Sequence, residues 1–184
     1  RHGLKYIMDI VPNHVNPRHW WHKDLPDSSW YNQWPEFTRT NYKIVCATDP
    51  HASKADKEQF QKGWFDTNMA DLNYNNKLLF DYVLQSYIYW AELTGLDGFR
   101  VDTYPYNDLN LASQMMAAIR REYPKMNLVG ECWVKSIPEM AYFQTGNNNR
   151  DGFDSNLPSV MDFMLKDWLE MAFVEGEAWD KGMI

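Results

Sequence analysis

Cysteine is scarce: Cys46 and Cys132 are the only two in 184 residues. Two thiols define neither a disulfide framework nor a metal-ligand cluster. No apolar run approaches the ~20 residues needed to cross a bilayer, so no membrane partner is expected. Positive charge is in deficit, with 18 Lys+Arg against 25 Asp+Glu and a formal net charge of −7. Nucleic-acid partners are therefore not expected, because nonspecific binding rests on neutralising phosphates with Lys and Arg. No glycine-rich phosphate loop follows any strand-like run. The Arg1-His2-Gly3 start has no initiator methionine or signal-peptide pattern, and Gly182-Met183-Ile184 closes on no motif. The chain is thus expected to be a piece of something longer.

What is abundant is aromatic. Aromatic residues make up 16% of the chain, with nine Trp and eleven Tyr, and hydrophobic residues 45%. Such a composition excludes disorder and predicts a soluble globular chain. Four strand-like runs recur: Leu4 to Val11, halted by Pro12; Gly98 to Asp102; Asn127 to Glu131; and Ser159 to Phe163. The spacing predicts a helix from about Asn76 to Leu93. Leu79, Phe80, Val83, Leu84, Tyr87, Ile88 and Ala91 repeat at three and four residues, and Gly95 supplies the stop. A second helix is expected from about Leu111 to Tyr123, a short one from Pro138 to Phe143, and another starting near Leu165.

Strands alternating with helices indicate βαβ units and a parallel sheet. Residues 15–70 break the rhythm, carrying Trp20, Trp21, Trp30, Trp34 and Trp64 among Pro, Asp and Asn, and read as an inserted subdomain. Setting them aside leaves 128 of the 184 residues. A (β/α)8 barrel takes roughly 31 residues per unit, so about four units remain, and half a barrel is expected. A doubly wound sheet with an inserted lid fits the same arithmetic, but lacks its phosphate loop here.

Polar residues fall at the strand ends, where a barrel keeps its chemistry. Asp9 lies in the first strand with Asn13 and His14 beyond it. Arg100 and Asp102 close the second, and Glu131 closes the third. Asp102 and Glu131 are 29 residues apart, one βα unit, which places two carboxyl groups on neighbouring strands at one mouth. Glycoside hydrolysis needs such a pair, one to attack the sugar carbon and one to protonate the leaving oxygen. Arg100 shares a strand face with Asp102 and is expected to hold it ionised. Each residue alone also fits a plainer role: a loop cap or ion pair for the carboxylates, packing for Trp133 and the tryptophan cluster. Asp71 and Asn73 equally fit caps of the following helix.

Asp9-Ile10-Val11-Pro12-Asn13-His14, Gly98-Phe99-Arg100-Val101-Asp102 and Val129-Gly130-Glu131-Cys132-Trp133 resemble the first three conserved regions of the α-amylase family, family 13 of the glycoside hydrolases. Met69-Ala70-Asp71-Leu72-Asn73 is similar to a further short motif of that family. The resemblance implies a (β/α)8 barrel of which these are about strands 3 to 6, with residues 15–70 as the protruding subdomain. It implies Asp102 as nucleophile, Glu131 as general acid/base, and Arg100 supporting the nucleophile. It places His14 on the sugar, with Asp9, Trp133 and Tyr106 as further substrate contacts. Asn13 matches a position that binds calcium in some members; no cofactor is required, and calcium stays open. His19-Trp20-Trp21 and Trp30-Tyr31-Asn32 look like the neopullulanase and cyclomaltodextrinase group, nearest the starch-utilisation enzymes of the Bacteroidetes type, which implies a periplasmic or secreted bacterial protein.

Two departures stand out. Pro105 and Tyr106 occupy the third and fourth positions after Asp102, where many amylases have a Lys-His pair. The family's fourth region, with its third essential carboxylate, is absent. The expected activity is retaining hydrolysis of α-glucosidic bonds in maltodextrin, cyclodextrin or pullulan. Transglycosylation by the same residues and a non-catalytic carbohydrate-binding relative are the alternatives, and oligomerisation is left open. An isolated segment is expected to be inactive.

Overall fold

The computed structural model describes residues 2–173. Four short strands, β1 (Ile7–Ile10), β2 (Gly98–Val101), β3 (Asn127–Gly130) and β4 (Ser159–Val160), form one sheet in the order β1-β2-β3-β4, every pair parallel. An order that never reverses is that of a barrel wall; a doubly wound sheet turns back at its switch point. The fold is a partial (β/α)8 barrel. Register is simple: Ile7 lies beside Gly98, Gly98 beside Asn127, and Val129 beside Ser159. A Cβ on Gly98 would meet the Asn127 carbonyl oxygen at 2.6 Å, so the β2–β3 approach depends on glycine there.

Helices connect the strands. After α1 (Val45–Thr48) and α2 (Lys54–Lys62), α3 (Lys77–Thr94) links β1 to β2. Asn76 caps α3, its Oδ1 accepting from the Leu78 and Leu79 N–H groups, and Gly95 ends it in the left-handed conformation at φ +60°. The helix buries Leu79, Val83, Tyr87 and Ala91 along one stripe, as the spacing predicted. The helix α4 (Leu109–Glu122) buries Leu109, Ala112, Met115, Met116 and Ile119. It starts two residues before the expected position because the Asp108 side chain accepts from Asn110 and Leu111. Phe99 lies 6.0 Å ring to ring from Tyr87 of α3, and Phe99, Val101 and Leu128 have no exposed surface; burying one such side chain contributes about 1.5–3 kcal/mol.

The last unit departs from expectation. β4 holds only two residues rather than Ser159 to Phe163. Asp162 accepts from the Leu165 N–H, which initiates α6 (Phe163–Phe173) and converts the end of the expected strand into a helix start. The short α5 (Ile137–Tyr142) precedes it, capped by Ser136.

Residues 15–70 form no strand of the sheet. They run through 3-10 turns at Trp20–His22 and Ser28–Trp30, then α1 and α2, and return along residues 64–73. The return is stitched to what precedes it: the Leu72 N–H donates to the Asn13 carbonyl at 2.9 Å and the Asn32 N–H to the Asp71 carbonyl at 3.0 Å. Trp21 and Trp30 are buried against each other at 4.9 Å and against Tyr82 of α3, as part of the main core, whereas Trp20 is exposed. The expected caps move as well, since Asn76 rather than Asp71 or Asn73 caps α3. Among the described residues, no helix is long and apolar enough to cross a membrane.

Candidate active site

The strand ladder continues one step past each strand end. The Asp102 N–H donates to the Ile10 carbonyl and the Glu131 N–H to the Val101 carbonyl, both at 2.9 Å. Asp102 and Glu131 therefore stand side by side at the carboxyl end of the sheet, as one-unit spacing requires. Immediately after Asp102, Thr103 adopts φ +47°, a backbone conformation costly for a β-branched residue. That turn aims the Thr103 N–H at Glu131 Oε2, 3.0 Å away.

Arg100 joins the carboxylates. Its Nη1 donates to Asp102 Oδ1 at 2.6 Å and to both oxygens of Asp9 at 2.7 and 2.9 Å; its Nη2 lies 2.5 Å from Glu131 Oε1. Glu131 is further bound by the Trp133 indole N–H at 2.9 Å. These contacts set the protonation pattern. Burial pushes the Asp102 carboxyl up; Arg100 pulls against that, and the Glu131 charge adds to it. Arg100 favours the charged form of Asp102, but burial first and then the Glu131 charge outweigh it, and the net shift is upward. Burial also works to raise Glu131, but the Thr103 N–H, Trp133, Arg100 and a hydrogen bond to Asp102 together outweigh it, and the net shift is downward.

A cavity of about 430 Å³ opens on this pair, lined by Asp102, Glu131, His14, Tyr106 and Trp133, with Thr103, Phe65 and Met69. Five of the seven expected site residues therefore share one cavity. Arg100 and Asp9 do not line it: Arg100 bridges the carboxylates, and Asp9 reaches them only through Arg100. Burial pushes His14 down to about 4, so it is neutral near pH 7. Asn13 Oδ1 lies 3.1 Å from His14 Nδ1, while Asn13 Nδ2 donates to Asp71. The network assigns the proton to Nδ1 and leaves Nε2 as an acceptor. Phe65 stacks on the imidazole at 4.8 Å and 15°. Burial raises Tyr106 to about 12, keeping a neutral phenol in the wall where many amylases carry a histidine. Phe65 has no sequence signal, since nothing in its spacing separates it from the subdomain's other aromatics. Met69 begins one of the motifs singled out in the sequence and Thr103 directly follows another.

Asn13 was the position open to calcium. Asp71 is fully buried beside it; its Oδ1 accepts from Asn13 Nδ2 at 3.1 Å and its Oδ2 from Asn32 Nδ2 at 2.7 Å. Burial pushes this carboxyl well above its ordinary range, with the two amides pulling the other way. Calcium takes six to eight oxygen ligands, but both Asp71 oxygens here face N–H donors. With both oxygens taken by amide donors, Asp71 in this arrangement offers none to a cation.

A barrel wall with paired carboxylates at its carboxyl end is an arrangement that glycoside hydrolysis requires. The family model for the alpha amylase catalytic domain matches residues 1–171, and the chain belongs to that family. An alpha-glucosidase of Apis mellifera is 26% identical over 151 residues, covering 74% of this chain and 26% of its own length. A trehalose synthase of Pimelobacter is 29% identical over 162 residues, 74% of this chain and 28% of its own. The chain thus spans little more than a quarter of these relatives. The crystal structure of an alpha-amylase from Geobacillus thermoleovorans superposes with a TM-score of 0.67 at 21% identity, covering 91% of this chain and 32% of that one; at that identity the likeness concerns the fold.

Proposed function

We propose that the protein is a retaining glycoside hydrolase acting on α-glucosidic bonds of starch-derived oligosaccharides. The observation that carries this is the Asp102–Glu131 pair, held by one guanidinium at the floor of a cavity whose walls alternate aromatic rings with hydrogen-bonding groups. Residues 15–70 act as the family's protruding subdomain and supply Phe65 to that wall. Asp102 attacks the anomeric carbon, the glycosidic bond breaks, and Glu131 gives its proton to the departing oxygen. Glu131 then takes a proton from water, whose oxygen displaces Asp102 from the glycosyl ester. The directions of the two shifts, Asp102 up and Glu131 down, run against the protonation the first step needs. The two groups titrate as a pair.

His14 Nε2 accepts a sugar hydroxyl, and Trp133 presents an apolar face to a ring. With a net charge of −7 and Arg100 occupied by carboxylates, the site suits neutral sugars in preference to phosphorylated or uronic ones. His19-Trp20-Trp21 supports a neopullulanase or cyclomaltodextrinase-like preference, and with it a periplasmic or secreted location. A relative named as a synthase supports transfer to sugar acceptors as a second reading. A substrate panel on the full-length enzyme is the test. Maltohexaose or cyclodextrin should be turned over with retained anomeric configuration, and added acceptor sugar reveals the extent of transfer. Turnover of a β-glucan or uronic polymer alone would overturn the proposal.

A further inference from the structure

Behind the wall of the active-site cavity lies a second one, of about 400 Å³. Successive side chains of an extended segment point to opposite sides. Phe65 lines the carboxylate cavity, and its neighbour Trp64 lines the second with Trp34, Phe37, Gln33, Glu36 and Thr38. Both indoles are fixed in place: Trp34 Nε1 donates to the Lys62 carbonyl at 3.0 Å and Trp64 Nε1 to the Asn32 carbonyl at 2.8 Å. With their N–H groups bound to backbone, these rings offer the cavity only apolar surface. Phe37 is 52% exposed and stands edge-on to Trp64 at 6.3 Å. Gln33 donates to the Ser28 carbonyl, which leaves its Oε1 as an acceptor, and the Glu36 carboxylate and Thr38 hydroxyl complete a polar rim.

The nearby cation is already engaged. Arg39 pairs with Asp66 at 2.5 Å and lies over the Phe37 ring, so the cavity offers little to an anion. Gln33 and Glu36 are exposed and stay hydrated beside any occupant, so the rim favours a ligand that brings its own hydroxyls to them over a purely apolar one. A sugar ring, with C–H faces and a hydroxyl edge, matches both kinds of surface. We propose that this cavity is a second sugar-binding site, which holds one or two glucosyl units of an α-glucan outside the cleavage site and keeps a long chain on the enzyme. The inference rests on the α-glucan reading given above.

The test uses the full-length enzyme with Phe37→Ala and, separately, Trp34→Ala, each checked for an unchanged thermal transition. Phe37 makes no hydrogen bond through its side chain, so Phe37→Ala serves if Trp34→Ala fails to fold. Affinity for soluble amylose, measured by retardation in amylose-containing gels, should weaken about three- to tenfold in each variant. The kcat/KM for maltotriose should stay close to that of the wild type. Unchanged amylose affinity in folded Phe37→Ala would overturn the inference, and would mean that nothing binds there or that another part of the full-length chain covers the cavity. An equal loss on maltotriose would also overturn it, by placing the effect in the cleavage site. Wild-type enzyme that cleaves no α-glucan would bring down the function proposal and this inference together, whereas active wild type with unaffected variants brings down this inference alone.

Discussion

Burial, with the neighbouring Glu131 charge, lifts the Asp102 carboxyl although the Arg100 guanidinium lies 2.6 Å away and is shared with Asp9 and Glu131. The roles of the pair separate by substitution in the full-length enzyme. Asp102→Asn should abolish turnover of every α-glucoside, since an amide forms no glycosyl ester. Glu131→Gln should lose about 10²–10⁴-fold on unactivated oligosaccharides and distinctly less on aryl glucosides, whose leaving group needs little protonation. Equal losses on both substrates would remove Glu131 from the acid role. His14 yields a stability prediction. Its folded value is about 4 against 6.5 in the unfolded chain. Between those values only the unfolded chain binds the proton, so each step down in pH favours unfolding, and below about 4 the loss is complete. Denaturation midpoints measured from pH 7 to 4 should fall more steeply for wild type than for His14→Gln; parallel curves would contradict the buried, neutral imidazole.

Elements are joined by a few buried polar side chains. Asp71 ties the β1 exit, through Asn13, to the first half of the residue 15–70 excursion, through Asn32. Asp71→Ala would leave two amide donors without an acceptor, costing about 2–4 kcal/mol. That exceeds the ~1 kcal/mol expected for losing the α3 cap in Asn76→Ala. Urea denaturation of the full-length enzyme ranks the two, and the reverse order would show that the Asp71 network carries little. Because amides satisfy both oxygens of that carboxyl, EDTA should leave the melting temperature unchanged; a clear fall restored by added calcium would show that the cluster rearranges around a metal.

At the scale of the molecule, the sheet has two open edges, β1 and β4, among the described residues. Apolar surface is exposed near the first: Tyr6 and Ile7 are each 50% exposed, and on α3 Leu78 is 72%, Leu93 60% and Tyr89 58% exposed. A complete barrel covers such positions with its neighbouring units. Unpaired edges and exposed large apolar side chains favour association. Residues 1–184 produced alone should therefore sediment as oligomers or precipitate, and should not cleave maltodextrin. A monomeric, active preparation would refute this.

Periodicity and motif order determined much on their own. The α3 stripe from Leu79 to Ala91, the three strand-end motifs and the one-unit spacing of Asp102 and Glu131 are local patterns, and local patterns survive folding because helix and strand periods are set by the backbone. Tertiary structure decided the rest. Whether a tryptophan becomes core, as Trp21 and Trp30 do, or faces a cavity, as Trp34 and Trp64 do, depends on which elements pack over it, and residues 15–70 have no period from which to read that. Nor does spacing reveal that Asp9, Asp102 and Glu131 compete for Arg100, or that Phe65 closes over His14. Burial and the approach of one charge to another arise only when segments distant in the chain converge, and those two quantities shift the titration of the paired carboxyls.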